Sequence, residues 1–224
     1  MIQSIDWRDF KIKQPRQQDM VAVILCAGLG ERLKPITDYI PKPLIEINGK
    51  SVLQSNIELL HRYNIFKPNI IISIYHLSHK FIEYAKDITF ADQKNLRGTA
   101  IALKRIERWL SDPFIVMNGD TITNLNIQEL LKVHKQTGNI GTVFTHYDEI
   151  RTGGTYVFDK KVLSYIPPDK IYSIKDDLIP RLKKEGQDIT LFKTDKYYYF
   201  DIGTHEGLQR AKELGLQVPE TIIS

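Results

Sequence analysis

"VAVILCAGLGERLKPITDYIPKP", residues 21–43, runs from six apolar residues straight into a segment holding two glycines, three prolines, one arginine and two lysines. An apolar run of that length, closed by glycine, reads as a strand buried on both faces. The segment behind it is too interrupted for regular structure, and its cations suit an anion. Gly28 and Gly30 let backbone N–H groups approach phosphate oxygens and tolerate positive φ. Arg32 presents a planar fork for two oxygens, while Lys42 is a compact positive charge held between Pro41 and Pro43. A surface turn with solvated cations is the competing reading, but it gives no reason for all five features to follow one strand. Two familiar phosphate loops are excluded. "INGKS" (47–51) ends like a P-loop but has Leu44 at the first glycine's place, and Gly28-x-Gly30 has Leu33 at the third glycine of a dinucleotide fingerprint.

Outward from this stretch, apolar runs alternate with amphipathic ones, which predicts an α/β fold with a largely parallel sheet flanked by helices. Strands are expected over 20–26, 69–75, 87–91, 113–118, 140–146, 154–159, 188–193 and 197–200. Helices are expected over 51–63 (with Ser51 as its cap), 78–86, 98–110, 126–136, 160–165, 175–185 and 205–214. Three strand ends carry reactive-looking residues: "AGLG" after the first, "NGD" (118–120) and "DIG" (201–203). Ligands of open α/β sheets bind outside the carboxyl ends of strands, so the three are expected to share one cleft.

At 224 residues the chain fits one α/β-sized domain, here 19–224, preceded by a polar arm over 1–18 that carries Trp7 and Phe10. The arm reads as packing on the domain or on a second subunit, or as a disordered leader. A net charge of +4, without five like charges in a row, gives no sign of nucleic acid as a partner. No apolar stretch approaches the ~18 residues of a membrane span and the N-terminus has no apolar signal core, so a cytoplasmic protein is expected. The single cysteine, Cys26, cannot form an intramolecular disulfide and reads as a small buried hydrophobe rather than a nucleophile.

Asp120 and Asp201 each follow an apolar strand, Asp120 directly after Gly119 and Asp201 two residues before Gly203. Taken singly, each could simply cap the next segment. Taken together with the glycine loop they suit Mg²⁺, a hard cation often held by one or two carboxylates plus substrate phosphates. His76 and His79 lack a third ligand nearby and read as a surface pair at a helix start; "KYYYF" (196–200) reads as a strand with one buried face; His205 receives no role.

The run "AGLGERLKPITDYIPKPLIEINGKSVL" resembles the N-terminal signature of the sugar-1-phosphate nucleotidyltransferases, Gly-x-Gly-Thr-Arg-Leu-x-Pro followed by Pro-Lys-Pro, with Glu31 in place of the threonine. Four further stretches resemble family motifs in the same order: "NLRGTAIAL" (95–103), "VMNGD" (116–120), "GGTYVF" (153–158) and "YYFDIGTHEGL" (198–208). The nearest flavour is that of heptose- and mannose-1-phosphate guanylyltransferases. The resemblance implies a Rossmann-like three-layer α/β/α nucleotide-diphospho-sugar transferase fold with a mostly parallel, mixed central sheet. It also implies a nucleotide site at Ala27, Gly28, Leu29, Gly30, Arg32, Lys42, Leu96, Gly98 and Thr99, and Mg²⁺ on Asp120 and Asp201. Arg32 and Lys42 become the catalytic cations of a nucleotidyl transfer from a nucleoside triphosphate to a sugar 1-phosphate, which supplies precursors for surface glycans. A homo-oligomer is left open.

The acceptor half departs from the family. Its hairpin with Glu-Lys-Pro, whose lysine binds the sugar phosphate, is replaced by "YDEIR" (147–151), and Lys175 stands where relatives carry a sugar-binding glutamate. A phosphate dianion beside a triphosphate needs a cation, so Lys175 and Arg151 are acceptor-site candidates, joined by Gly154 of the "GGTYVF" stretch, with a solvated Lys175 as the alternative. The departures also keep a cytidylyltransferase for a non-sugar phosphate in play, as well as a non-catalytic relative that binds nucleotide sugar.

Overall fold

Alternation along the first strand sorts its side chains to two cores. In β1 (Val21–Leu25), Val21 and Val23 face one side and Ala22 and Ile24 the other, all fully buried. Each such Val or Ile contributes on the order of 1.5–3 kcal/mol by leaving water. The computed structural model describes residues 19–84, 89–92, 98–146 and 152–215. The expected 1–18 arm, Leu96 and Arg151 lie outside the described residues.

Eight strands stand where the apolar runs predict them: β1, β4 (Ile70–Ile74), β5 (Thr89–Asp92), β6 (Phe114–Asn118), β8 (Gly141–Thr145), β9 (Thr152–Phe158), β10 (Ile189–Lys193) and β11 (Tyr199–Asp201). Seven form one sheet in the order β10-β8-β9-β6-β1-β4-β5. It is mixed: β9 runs antiparallel to both of its neighbours, and the other pairings are parallel. Helices α1 (Val52–Arg62) and α3 (Ile127–Thr137) cover one face through Leu53, Ile57, Leu60 and Leu130. On the other face lie α2 (Thr99–Arg105) and α4 (Ile179–Lys184), through Ile101, Leu103 and Leu182. This is the three-layer arrangement. Ser51 caps α1 as expected, its hydroxyl accepting from the Gln54 N–H at 3.1 Å.

Five expectations need correction. The run at 197–200 does not extend the main sheet: β11 pairs antiparallel with a short unforeseen strand, β7 (Thr121–Thr123). Residues 78–84 and 160–165 form 3-10 segments rather than α-helices, and the helix expected over 98–110 ends at Arg105. A π-helical turn, Ile174–Leu178, precedes α4, with Ser173 accepting from the Asp176 N–H at 2.8 Å. A further small hairpin, β2 (Glu46–Ile47) with β3 (Lys50–Ser51), leads into α1. Helix α5 (His205–Glu213), β7 and the glycine loop share a third apolar cluster, in which Leu33, Ile122, Ile202, Leu208 and Ala211 are buried together. Among the described residues no helix is long and apolar enough to cross a membrane.

Candidate active site

The carboxyl ends of β1, β4 and β6 open onto a cleft of about 470 Å³, and Ala27, Gly28, Lys42, Gly98, Thr99 and Asp120 line it. Six of the sequence-predicted residues are therefore brought together. Leu29, Gly30 and Arg32 lie further along the glycine loop, outside that lining. Gly28 is exposed, and a Cβ there would meet nothing, which leaves the loop backbone open to a ligand. Gly30 has φ +68°, and a Cβ there would come within 2.6 Å of the Thr37 methyl, so both its conformation and its packing require glycine.

Lys42 sits in a 3-10 turn, Lys42–Leu44, and its Nζ forms a short ion pair with the Asp120 carboxylate across the cleft. Both side chains are mostly buried, 14% and 22% exposed, so water screens their attraction weakly. Cys26 lies beneath this pair, 2% exposed. Burial pushes its thiol pKa well up, and the Asp120 charge pushes the same way, so Cys26 is an inert packing residue as the sequence indicates. Gly119 makes that packing possible: a Cβ on it would lie 2.5 Å from the Cys26 sulfur and 2.8 Å from the Leu25 carbonyl oxygen.

Pairing of β11 with β7 carries Asp201 to the same corner. Asp201 stands opposite Thr121, and the Ile202 N–H donates to the Asp120 carbonyl at 3.1 Å. The Asp201 carboxylate is exposed and accepts from the Gly203 N–H at 2.6 Å through Oδ1. Arg32 reaches the same spot: a Cβ at Gly203 would lie 2.8 Å from an Arg32 guanidinium nitrogen and 2.7 Å from Asp201 Oδ1. The exposed guanidinium closes no ion pair or hydrogen bond with another described residue. Two carboxylates offer the hard oxygen donors that Mg²⁺ takes, and among the described residues no group of three His, Cys, Asp or Glu side chains gathers into a metal site. Two carboxylates of this kind have the chemistry to hold a divalent cation together with substrate oxygens.

Gly98, at φ +92°, packs against the Tyr172 main chain, where a Cβ would be 2.5 Å from the carbonyl oxygen. The same carbonyl accepts from the Ala100 N–H at 3.0 Å, and the Thr99 hydroxyl accepts from the Ile174 N–H at 2.9 Å. The start of α2 is thus fixed to the turn that carries Lys175. Gly154 lies beside Asn118 and Thr121, next to the Asp120 corner. Lys175 is exposed in the π-helical turn and does not line the cleft. His76 and His205 are residues whose engagement sequence reasoning missed. Their ring nitrogens sit 2.9 Å from the carbonyl oxygens of Thr37 and Lys34, so His76 is no free surface residue.

Comparison with known proteins places this geometry. A family model described as nucleotidyl transferase matches residues 21–153. The UTP–glucose-1-phosphate uridylyltransferase of Synechocystis sp. is 28% identical over an alignment covering 82% of this chain and 60% of that protein. The mannose-1-phosphate guanyltransferase of Candida albicans is 33% identical, covering 63% of this chain and 42% of its own length. The chain thus spans about half the length of these curated relatives. Among solved structures, HddC from Yersinia pseudotuberculosis, complexed with GMP-PN, superposes with a TM-score of 0.72 at 25% identity, covering 88% of this chain and 99% of that one. With the family model matched over more than half of its residues, glycine loop and Asp120 included, the chain belongs to the nucleotidyl transferase family.

Proposed function

We propose that this protein joins a nucleoside triphosphate to a sugar 1-phosphate, giving a nucleotide-diphosphate sugar and pyrophosphate. The observation that carries the reading is the convergence of the glycine loop, Lys42, Asp120 and Asp201 on one corner of the sheet. The names of the relatives, which specify glucose 1-phosphate and mannose 1-phosphate as substrates, support the acceptor class. The GMP-PN held by the Yersinia protein supports a nucleotide in the cleft.

In this reading the acceptor phosphate is already ionised, so its oxygen attacks the α-phosphorus without a general base, and pyrophosphate leaves in line. The protein's part is positioning and charge neutralisation. Backbone N–H groups at Ala27, Gly28, Leu29 and Gly30 approach the phosphates. Arg32 grips the leaving β- and γ-phosphates, and Lys42 neutralises charge at the reacting phosphate, exchanging its Asp120 partner for it. Gly98 and Thr99 form the wall on which the base rests, with Leu96 beside them. Asp120 and Asp201 would hold Mg²⁺, which supplies Lewis-acid stabilisation of the phosphate oxygens. Gly154 gives the acceptor close approach, and Lys175 with Arg151 answers its charge. The domain so defined is 19–224 with an arm over 1–18. A cytoplasmic setting completes the reading, supported by a lone buried thiol without a disulfide partner.

A pyrophosphate-release screen decides the matter: four triphosphates with Mg²⁺ against a panel of sugar 1-phosphates and phosphorylated small alcohols. Turnover with at least one sugar 1-phosphate is expected. Turnover confined to a phosphoalcohol such as phosphocholine with CTP would replace this reading by the cytidylyltransferase one, and turnover with none would leave a binding protein.

A further inference from the structure

Two imidazoles outside the cleft grip the glycine loop by its main chain. His205 opens α5 and places Nε2 2.9 Å from the Lys34 carbonyl oxygen. His76 lies two residues beyond the end of β4, after Tyr75, and places Nε2 2.9 Å from the Thr37 carbonyl oxygen. A carbonyl can only accept, so each ring donates and carries its proton on Nε2. The Thr37 hydroxyl in turn donates to the Gly30 carbonyl at 2.9 Å.

The loop needs such ties because its other hydrogen bonds among the described residues are all internal and do not hold it to the rest of the domain. Two three-residue 3-10 turns, Glu31–Leu33 and Ile36–Asp38, bond only within the segment. Apolar anchorage comes from Leu33 and Ile36 in the third cluster. Among the described residues, the two imidazoles make the only hydrogen bonds that reach residues 30–40 from outside. Arg32, two residues before the Lys34 tie, has no hydrogen-bond or ion-pair partner among the described residues, so the position of the loop backbone sets where its guanidinium can reach.

We propose that His76 and His205 are positioning residues, latching the loop to the ends of β4 and α5 so that Arg32 faces Asp201 and Gly203. His205 lies four residues beyond Asp201, so the same contact fixes the spacing between the arginine and the carboxylate arm. The inference rests on the reading of Arg32 as a triphosphate ligand, and its test separates the two.

The experiment compares wild type with His205→Ala, His205→Gln and His76→Ala/His205→Ala, by amide hydrogen exchange and by pyrophosphate release. Loss of the latch should speed exchange of amides 31–40 by ~10-fold or more while those of β1 and α1 hold steady. It should lower kcat by ~10-fold in the double variant with little change in the triphosphate KM, and glutamine at 205, which retains a donor, should restore most of the loss. In an Arg32→Ala background, His205→Ala should cost less than ~2-fold, because a latch that acts through Arg32 has nothing left to position. Unchanged loop exchange in the double variant overturns the latch. Faster exchange with losses that multiply in the Arg32→Ala background overturns its connection to Arg32. If wild type releases no pyrophosphate from any substrate pair, the proposed reaction falls, and the exchange data alone decide whether the latch exists.

Discussion

Gly119→Ala should damage this protein out of proportion to one methyl group. The added Cβ would sit 2.5 Å from the Cys26 sulfur, 2.8 Å from the Leu25 carbonyl oxygen and 3.2 Å from a Pro43 ring carbon. Carbon finds its optimum against heavy atoms at about 3.5 Å or more, so the worst overlap is close to 1 Å. None of the three neighbours can swing away. Leu25 is in register with Asn118 in the middle of the sheet, the Gly119 N–H donates to the Leu25 carbonyl at 3.0 Å, and Cys26 is 2% exposed. Overpacking of this kind costs about 1–3 kcal/mol and occasionally more, and we expect about 3 kcal/mol. At 2–4 °C per kcal/mol for a chain of this size, the melting temperature should fall by roughly 6–12 °C. Urea unfolding of wild type, Gly119→Ala, Cys26→Ala and the double variant measures it. Removing the sulfur relieves the largest overlap and leaves the carbonyl, so the pair should be coupled by about 1–2 kcal/mol. Activity assayed well below the transition should drop ~10-fold, since Asp120 and the Lys42 turn adjoin the displaced atoms. A Gly119→Ala protein within about 0.5 kcal/mol of wild type, or strict additivity in the cycle, would show that the strand ends have slack and refute the argument.

Asp120→Asn and Asp201→Asn should each lower turnover by ~10²-fold or more, and excess chelator should silence wild type; full activity under any of these conditions removes the metal role. Lys175→Ala should raise the acceptor KM by ~10-fold or more and leave that of the triphosphate nearly unchanged, whereas two unmoved KM values would return Lys175 to the solvated surface. Tyr197→Phe tests an acid-sensitive contact. The Tyr197 hydroxyl donates to the Glu129 carboxylate, and with help from Lys196 it lowers that group's pKa. A lowered folded pKa gives stability that is present above the ordinary carboxylate value and lost as pH falls through the lowered one. Glu129 is 35% exposed, so the variant should lose only about 0.5–1 kcal/mol at neutral pH, with the difference vanishing in acid. NMR titration of Glu129 should show its pKa return upward; a pKa that stays low would assign the effect to Lys196.

What the sequence disclosed was whatever one segment can encode by itself. The eight expected strands are runs of four or more residues dominated by apolar and β-branched side chains, and they appear where periodicity puts them. Strands β2, β3 and β7 are two or three residues long, too short for a period of two to declare itself. The helix expected to continue through 98–110 keeps apolar residues to its end, yet its tail turns into a 3-10 segment, Glu107–Trp109, that ends at the buried Leu110 ahead of β6. Local patterning sees helix there; tertiary packing decides where it stops.

Long-range register explains the remaining gap at the site. Lys42 and Asp120 are separately conspicuous, but their ion pair spans 78 residues and depends on Gly119 bringing two strand ends together. Asp201 looks like the end of one more strand of the main sheet. Instead β11 leaves that sheet to pair with β7, and the apolar side chains that follow it, Ile202 and Leu208, join Leu33 and Ile122 in a core of their own. That small core unites the two halves of the site, because the loop bearing Arg32 and the arm bearing Asp201 bury their apolar residues in each other. The histidine contacts escape sequence reading for a different reason. Their acceptors are backbone carbonyls, which every residue has, so nothing in the letters at 34 and 37 marks them as partners. Only the path of the chain shows that a glycine loop whose other hydrogen bonds are internal is tied outward by side chains 39 and 171 residues away.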